Sequence, residues 1–365
     1  MRPIAECATI QIDITSACVL RCSNCTRFCG TREPFFMDFE DFQVAIDSLV
    51  GYSEQAHAVV GIMGGEPTLH PLFEKFCKYA ASKIAREKLG LWSTFPPAFK
   101  RYRETICKTF GVVLLNDHSR DDILHAPVLM AAEDYFRKEC PQCAGSGQIG
   151  NFIYPANGPK CPACGGKGTV TDDANLFLAT EHCWIQTSWS ASINPTGAWF
   201  CEVAAALADL YRGTKDAAPE ELGWMVEPDW WKKTTKDFTA QREWACRKCG
   251  AALPIARTRT SQDETDDISP SSLERLKEIK SRKLARGDAK VHEEFVFDAK
   301  LVGNTYPSQT YKDALYRQGI AAKYNIVLTL NSRGYWEPHL KEDMPDGVVP
   351  PQEERPSLFK ILQGE

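Results

Sequence analysis

The sequence predicts an α/β fold built on a parallel sheet, and three observations carry that reading. Strand-like apolar runs alternate with amphipathic helical segments through the first third of the chain. Two cysteine-rich stretches then interrupt the alternation, which reads as modules added to one large domain. No apolar run approaches the roughly 18 residues that a membrane span needs.

In order, residues 8–15 read as a strand. Residues 38–52 form a helix by the spacing of Phe39, Phe42, Ile46 and Leu49. A second strand covers 56–63, and a helix with Phe73, Phe76 and Ala80 on one face covers 71–86. Then come a strand at 89–95, a helix at 98–110, a strand at 112–116 and a helix at 130–137. Ligands of such sheets sit at the carboxyl ends of the strands. That singles out Ser93 and Thr94 after the third strand and Asn116 and Asp117 after the fourth. Each is equally a turn or helix-capping residue. Asp117 and His118 lie near the expected mouth, but no residue is assigned as a catalytic acid or base.

The 365 residues are 43% hydrophobic and 25% charged, ordinary for a globular protein. A net charge of −5 gives no global electrostatic case for nucleic acid and leaves room for a local patch. The opening Met1, Arg2, Pro3 and Ile4 lack the apolar stretch of a signal peptide, so a cytoplasmic location is expected, in the host if the chain is viral. In that setting fifteen cysteines argue for metal binding instead of disulfides. Cys7, Cys77 and Cys107 read as small buried core residues.

Cys18, Cys22 and Cys25 stand in the spacing C-x3-C-x2-C after the first strand, and Gly64-Gly65-Glu66-Pro67 closes the second. Read alone, the cysteines could be a zinc fragment with Cys29 as the fourth ligand; Cys29 is otherwise a spare thiol beside the loop. The second motif, in its place at a strand end, argues for a different assignment. Together they resemble the radical S-adenosylmethionine (SAM) superfamily. The resemblance implies that the sheet curls into a partial (β/α) barrel. It implies that the three thiolates hold a 4Fe–4S cluster whose open iron is chelated by SAM, with Gly64, Gly65 and Glu66 beside the SAM ammonium. It makes Ser93, Asn116 and Asp117 candidates for the SAM ribose and carboxylate. An electron from a reductant protein such as flavodoxin or ferredoxin would then cleave SAM, and the resulting 5′-deoxyadenosyl radical would take a hydrogen atom from substrate. One position departs from the family. The residue before the third cysteine, often aromatic there, is Asn24, which bears on adenine contacts and not on the cluster.

Residues 139–169 carry an internal repeat, C-P-Q-C-A-G-S-G from Cys140 and C-P-A-C-G-G-K-G from Cys161. It resembles the DnaJ-type cysteine-rich domain. Cys140, Cys143, Cys161 and Cys164 are expected to hold zinc in an inserted ribbon, the glycines permitting turns that aim backbone amides at sulfur. Residues 170–257 are expected to hold the end of the radical SAM core and a third set, Cys183, Cys201, Cys246 and Cys249. The run from Ile193 to Cys201 resembles the glycine-then-cysteine hairpin of SPASM and twitch auxiliary-cluster domains. This set reads as a second 4Fe–4S cluster or a second zinc.

Residues 258–272 are polar and acidic and read as a linker. A helix then turns Leu273, Leu276, Ile279 and Leu284 inward and Arg275, Lys277, Lys280, Arg282, Lys283 and Arg286 outward, a solvated face or a phosphate patch. Trp230 and Trp231 beside Lys232 and Lys233 suit a core edge or base stacking. A small β-containing cap around 324–330 and a flexible Pro-rich tail from 348 end the chain.

The resemblance implies an enzyme that modifies or isomerises a macromolecular substrate, as an isomerase or a C–H-modifying transferase or oxidoreductase. One form is an isomerase acting on an amino-acid-modified thymine in viral DNA, whose base would have to leave the duplex stack. Another is a peptide or protein side-chain maturase, a third acts on small metabolites, and the alternative class is a non-catalytic metal-binding scaffold.

Overall fold

In a computed structural model, the structure describes residues 1–94, 96–115, 125–148, 159–181, 183–188, 190–255, 264–296, 321–333 and 335–344. The predicted alternation is present. Strand β1 (Thr9–Thr15) is followed by helices α1 (Phe39–Ser48) and α2 (Val50–Ser53), strand β2 (Val59–Gly64), helix α3 (Phe73–Lys83), strand β3 (Leu89–Ser93), helix α4 (Phe99–Thr109) and strand β4 (Val112–Leu115). The single helix expected over 38–52 is interrupted at Leu49, whose ψ of 0° leaves the helical range.

Helix α5 (Ala132–Tyr135) is a single turn, shorter than the helix expected over 130–137. Arg137 instead opens strand β5 (Arg137–Glu139), which pairs antiparallel with β6 (Thr169–Thr171) and closes the neck of the cysteine repeat. Helices α6 (Asp173–Thr180) and α7 (Trp184–Ser188) lead to the hairpin of β7 (Ser190–Asn194) and β8 (Gly197–Trp199), followed by α8 (Glu202–Leu210) and α9 (Thr239–Cys246). The hairpin belongs to the main sheet, whose strand order is β4-β3-β2-β1-β7-β8. Strands β1, β2, β3, β4 and β7 run parallel, and β8 returns antiparallel at one edge.

The two faces of this sheet differ in chemistry. Ile10, Ile12 and Ile14 of β1, with Val60, Ile62, Leu89, Leu91, Val113, Ala191 and Ile193, lie in the main apolar core with Phe42, Phe73, Phe76 and Phe99 of the covering helices. Phe42 and Phe76 stack there at 4.2 Å between ring centroids. The opposite face is mixed: Thr9, Gln11 and Asp13 from β1 and Ser190 and Ser192 from β7 are buried and polar, while Val59, Trp92, Val112 and Leu114 of β2 to β4 form an apolar cluster. Parallel sheets normally bury both faces in apolar side chains, so the buried polar part on β1 and β7 marks a place with another task.

The stretch expected as a linker is internal where it is described. Asp266–Ile268 forms strand β9, which pairs in parallel with β10 (Ala289–Val291). Asp266 and Asp267 are buried because each finds hydrogen-bond partners. Residues 256–263 lie outside the described residues. Helices α10 (Pro270–Glu278) and α11 (Arg282–Arg286) follow. Their basic face is not all solvated: Arg275 ion-pairs with Glu133 and Asp216, and Lys283, 1% exposed, reaches Asp266. Lys277, Lys280, Arg282 and Arg286 are exposed. Trp230 and Trp231 are both buried, as a core edge requires. The cap is a hairpin of β11 (Ile326–Leu330) and β12 (Trp336–Leu340), the second strand being absent from the sequence reading. The tail from 348 lies outside the described residues.

Candidate active site and metal-binding cysteines

The loop that leaves β1 carries Cys18, Cys22 and Cys25, and the end of β2 is bonded directly to its start. The Gly65 amide donates to the Thr15 carbonyl at 2.7 Å, and the Glu66 amide to the Ala17 carbonyl at 2.7 Å. The glycines have a steric reason. A Cβ on Gly64, at φ +138°, would fall 2.0 Å from the Thr15 oxygen, and one on Gly65 would fall 2.2 Å from the Ala17 oxygen. The close approach expected of this pair is therefore made, in this structure, to the backbone of the cysteine loop.

Glu66 is fully buried and holds the neighbouring strand end. Its carboxylate accepts from the Thr68 amide and hydroxyl, at 3.1 and 2.6 Å, and from the Ser93 hydroxyl at 3.0 and 3.1 Å. It also accepts from the Thr94 amide and hydroxyl, at 2.8 and 2.9 Å. Ser93 thus reaches the motif through Glu66. Asn116, Asp117 and His118 lie outside the described residues.

The cysteine loop is clamped by the C-terminal part of the chain, which sequence reasoning missed. Asn24, at φ +51°, gives its amide to Asp266 Oδ1 at 2.7 Å. Its side chain donates to Asp267 Oδ2 and accepts from the Asp267 amide, both at 2.9 Å. Lys283 Nζ donates to the Cys22 carbonyl at 2.9 Å and to Asp266 Oδ1 at 2.7 Å. The left-handed backbone is one that Asn tolerates and a bulky aromatic resists. The departure at this position therefore has a structural cause.

Cys18, Cys22 and Cys25 neighbour one another: burial first, then Cys25 and Cys18, push the Cys22 thiol up to about 12. Cys29 lies in the same group. Hydrogen bonding with Cys18 and Cys25 holds its thiol well above the ordinary value, and its bond to Cys25 takes that thiol well below. The other isolated cysteines are buried as expected, and burial takes Cys7 and Cys107 up to about 12 and Cys77 higher.

Cys140, Cys143, Cys161 and Cys164 form a different kind of site. Their sulfurs all lie within 4.8 Å of one another, with Cys140–Cys161 at 3.8 Å and Cys143–Cys164 at 3.7 Å. Tetrahedral zinc with arms of about 2.3 Å requires sulfurs about 3.8 Å apart. The two halves of the repeat mirror each other. The Gly147 amide donates to Cys143 Sγ and the Gly168 amide to Cys164 Sγ, each at 3.3 Å, from φ values of +75° and +76°. These are the amides that the repeat was expected to aim at sulfur.

Cys183, Cys201, Cys246 and Cys249 all line one small apolar cavity between α7, α8 and α9. Burial first, then Cys183 and other thiols of the set, push Cys201 and Cys246 well up and Cys249 to about 12. Among the described residues, the sulfurs of the ribbon close to within 4.8 Å of one another, and these four do not. Four thiols around one cavity are a donor set that zinc and iron–sulfur clusters both take. Cys18, Cys22 and Cys25 form one group of neighbouring thiols beside the Gly64–Glu66 strand end, a donor set of the kind that iron–sulfur clusters take.

No protein-family profile matches the chain, and no curated protein matches it. Two solved structures resemble it in part. BtrN in complex with AdoMet and 2-DOIA is 14% identical, with a TM-score of 0.37, and the match covers 71% of this chain and 96% of that one. BtrN in an open conformation is 12% identical, with a TM-score of 0.35, over 66% and 86%. At those scores the overlap is partial and carries no argument about what this chain does. No helix among the described residues is long and apolar enough to cross a membrane.

Proposed function

We propose that this chain is a radical SAM enzyme whose open parallel sheet serves as a partial barrel. The observation that supports this best is the direct bonding of the Gly-Gly-Glu-Pro strand end to the start of the three-cysteine loop. A structural zinc site has no use for that strand end, whereas a site that must present an open metal position and a second ligand together does. Cys18, Cys22 and Cys25 would hold the cluster, and Gly64, Gly65 and Glu66 would present the SAM edge. When bound, the pair would supply a one-electron reductive cleavage of SAM, fed by a flavodoxin- or ferredoxin-type reductant.

The protein's part is positional. Asn24, Asp266, Asp267 and Lys283 fix the cysteine loop, and Glu66, Ser93 and Thr94 fix the adjoining strand ends. The ribbon cysteines would hold zinc as a folding staple. The Cys183 set would hold a second, fully ligated cluster, its four thiols lining one apolar cavity. A reaction on DNA draws less support than it did from sequence, because Arg275 and Lys283 serve internal ion pairs.

The test is anaerobic reconstitution with iron and sulfide, reduction with dithionite and measurement of 5′-deoxyadenosine from SAM. Wild type is expected to release it and Cys22→Ala to release none. Absence of the product from iron-loaded wild type would leave a scaffold as the better reading.

A further inference from the structure

The polar face of the sheet contains a buried charge cluster that the proposed SAM site does not use. Arg27, two residues beyond Cys25, is its hub. Arg27 Nη2 lies 3.2 Å from Glu202 Oε2, bonds Gln11 Oε1 and reaches Met63 Sδ at 3.1 Å. Arg27 Nε lies 3.5 Å from Asp13 Oδ1. Gln11 and Asp13 are alternate residues of β1 and so share a face, opposite Gly61 and Met63 in the parallel register with β2. Ser190 donates to Glu202. Gln11, Asp13, Arg27 and Glu202 are all less than 9% exposed.

The cluster is incomplete in itself. Gln11 Nε2, Asp13 Oδ1 and Arg27 Nη1 are buried without a hydrogen-bond partner. A buried polar atom left unpaired costs about 1–3 kcal/mol, more when charged, and native structures retain few of them. Here four occur on side chains that touch one another through Arg27, counting Arg27 Nε, which faces Asp13 Oδ1 as an ion pair at 3.5 Å. Two carboxylates also face one guanidinium, so the group has room for one more positive charge. Burial raises the Asp13 carboxyl to about 6, with Glu202 adding to the rise and Arg27 and the Ser192 hydroxyl opposing it.

We infer that Gln11, Asp13, Arg27 and Glu202 form the polar recognition wall for substrate, and that the group they take carries an ammonium beside a neutral acceptor such as a carbonyl or hydroxyl. The ammonium answers the negative charge that two carboxylates leave over beside one guanidinium; the acceptor answers Gln11 Nε2 and Arg27 Nη1. A phosphate or free carboxylate is excluded at this depth by two carboxylates. Across the same sheet face the Trp92 ring lies over Gly61 and Gly90, where a Cβ would come within 2.6 and 2.3 Å of it, giving the wall an apolar neighbour. This rests on the reading above for its location beside the cysteine loop, and its test does not require SAM cleavage.

The probe is glycinamide at pH 7, compared with acetamide and acetate by saturation-transfer NMR on the reconstituted protein. Glycinamide is expected to bind saturably, acetamide at least tenfold more weakly and acetate not at all. Asp13→Asn is expected to lose at least tenfold in glycinamide affinity; if that variant does not fold, Gln11→Met is read in its place. No glycinamide binding by wild type, acetate binding as tight as glycinamide, or a variant that binds like wild type would each overturn the inference. Loss of 5′-deoxyadenosine formation with glycinamide binding intact would overturn the enzyme reading alone.

Discussion

Asn24 and Asp267 are joined side chain to strand: the Asn24 amide group donates to Asp267 Oδ2 and accepts from the Asp267 backbone amide, each at 2.9 Å. This pairing lets a segment some 240 residues along the chain set the shape of the three-cysteine loop. Replacing Asn24 by Ala removes both bonds, leaves a buried carboxylate oxygen short of a donor and strains a left-handed backbone. The expected loss is about 2–4 kcal/mol in unfolding free energy, with faster iron release to a chelator. Denaturant titration and chelator kinetics check this; an unchanged release rate would remove Asn24 from the account of the loop.

Lys283 is the second clamp. Lys283→Met strands the buried Asp266 charge, and breaking such a pair costs about 3–5 kcal/mol. The double variant Lys283→Met with Asp266→Asn is expected to recover a large part of that loss, because no bare charge is left. A double variant no more stable than the single one would show that the ammonium matters for its bond to the Cys22 carbonyl instead.

Glu66 collects donors from Thr68, Ser93 and Thr94 and so ties β2 to the end of β3. Glu66→Ala is expected to lower SAM affinity by roughly 10–100-fold, the scale of losing a supporting contact, while iron content stays at the wild-type value. Equilibrium dialysis of SAM with parallel iron analysis separates the two effects; iron loss equal to the affinity loss would make Glu66 a support of the loop alone.

In the ribbon, Gly147 has φ +75°, and a Cβ there would stand 2.4 Å from the Gly166 carbonyl oxygen. Gly147→Ala is expected to cost about 1–3 kcal/mol in backbone strain, to displace the amide bonded to Cys143 and to make zinc easier to strip. Zinc release to a colorimetric chelator reads this directly. Release as slow as wild type would mean that the turn is not what holds the site.

Much of the fold was legible because its signals are local. The strand and helix periods of β1 to β4, the ribbon repeat and the hairpin before Cys201 each lie within a few dozen residues. What escaped reading depends on distant partners. Asp266 and Asp267 look like a solvated acidic linker until Asn24 and Lys283 are placed against them, and Lys283 looks like one more exposed base. The sequence did hold one unused signal: β1 reads T-I-Q-I-D-I-T, a strict alternation unusual for a central parallel strand. That pattern points to a polar buried face and would have singled out Gln11 and Asp13. Which metal the Cys183 set takes is open in sequence because four thiolates suit zinc and clusters alike; that the four line one cavity depends on packing between α7, α8 and α9.

The most direct test of the central claim is iron, sulfide and zinc content after anaerobic reconstitution, for wild type and for a variant with Cys18, Cys22 and Cys25 all changed to Ala. The account predicts about eight irons and one zinc in wild type, with about four irons lost from the variant and the zinc unchanged. Wild type with zinc but no iron at the three-cysteine loop, or a variant that keeps all of its iron, would contradict it.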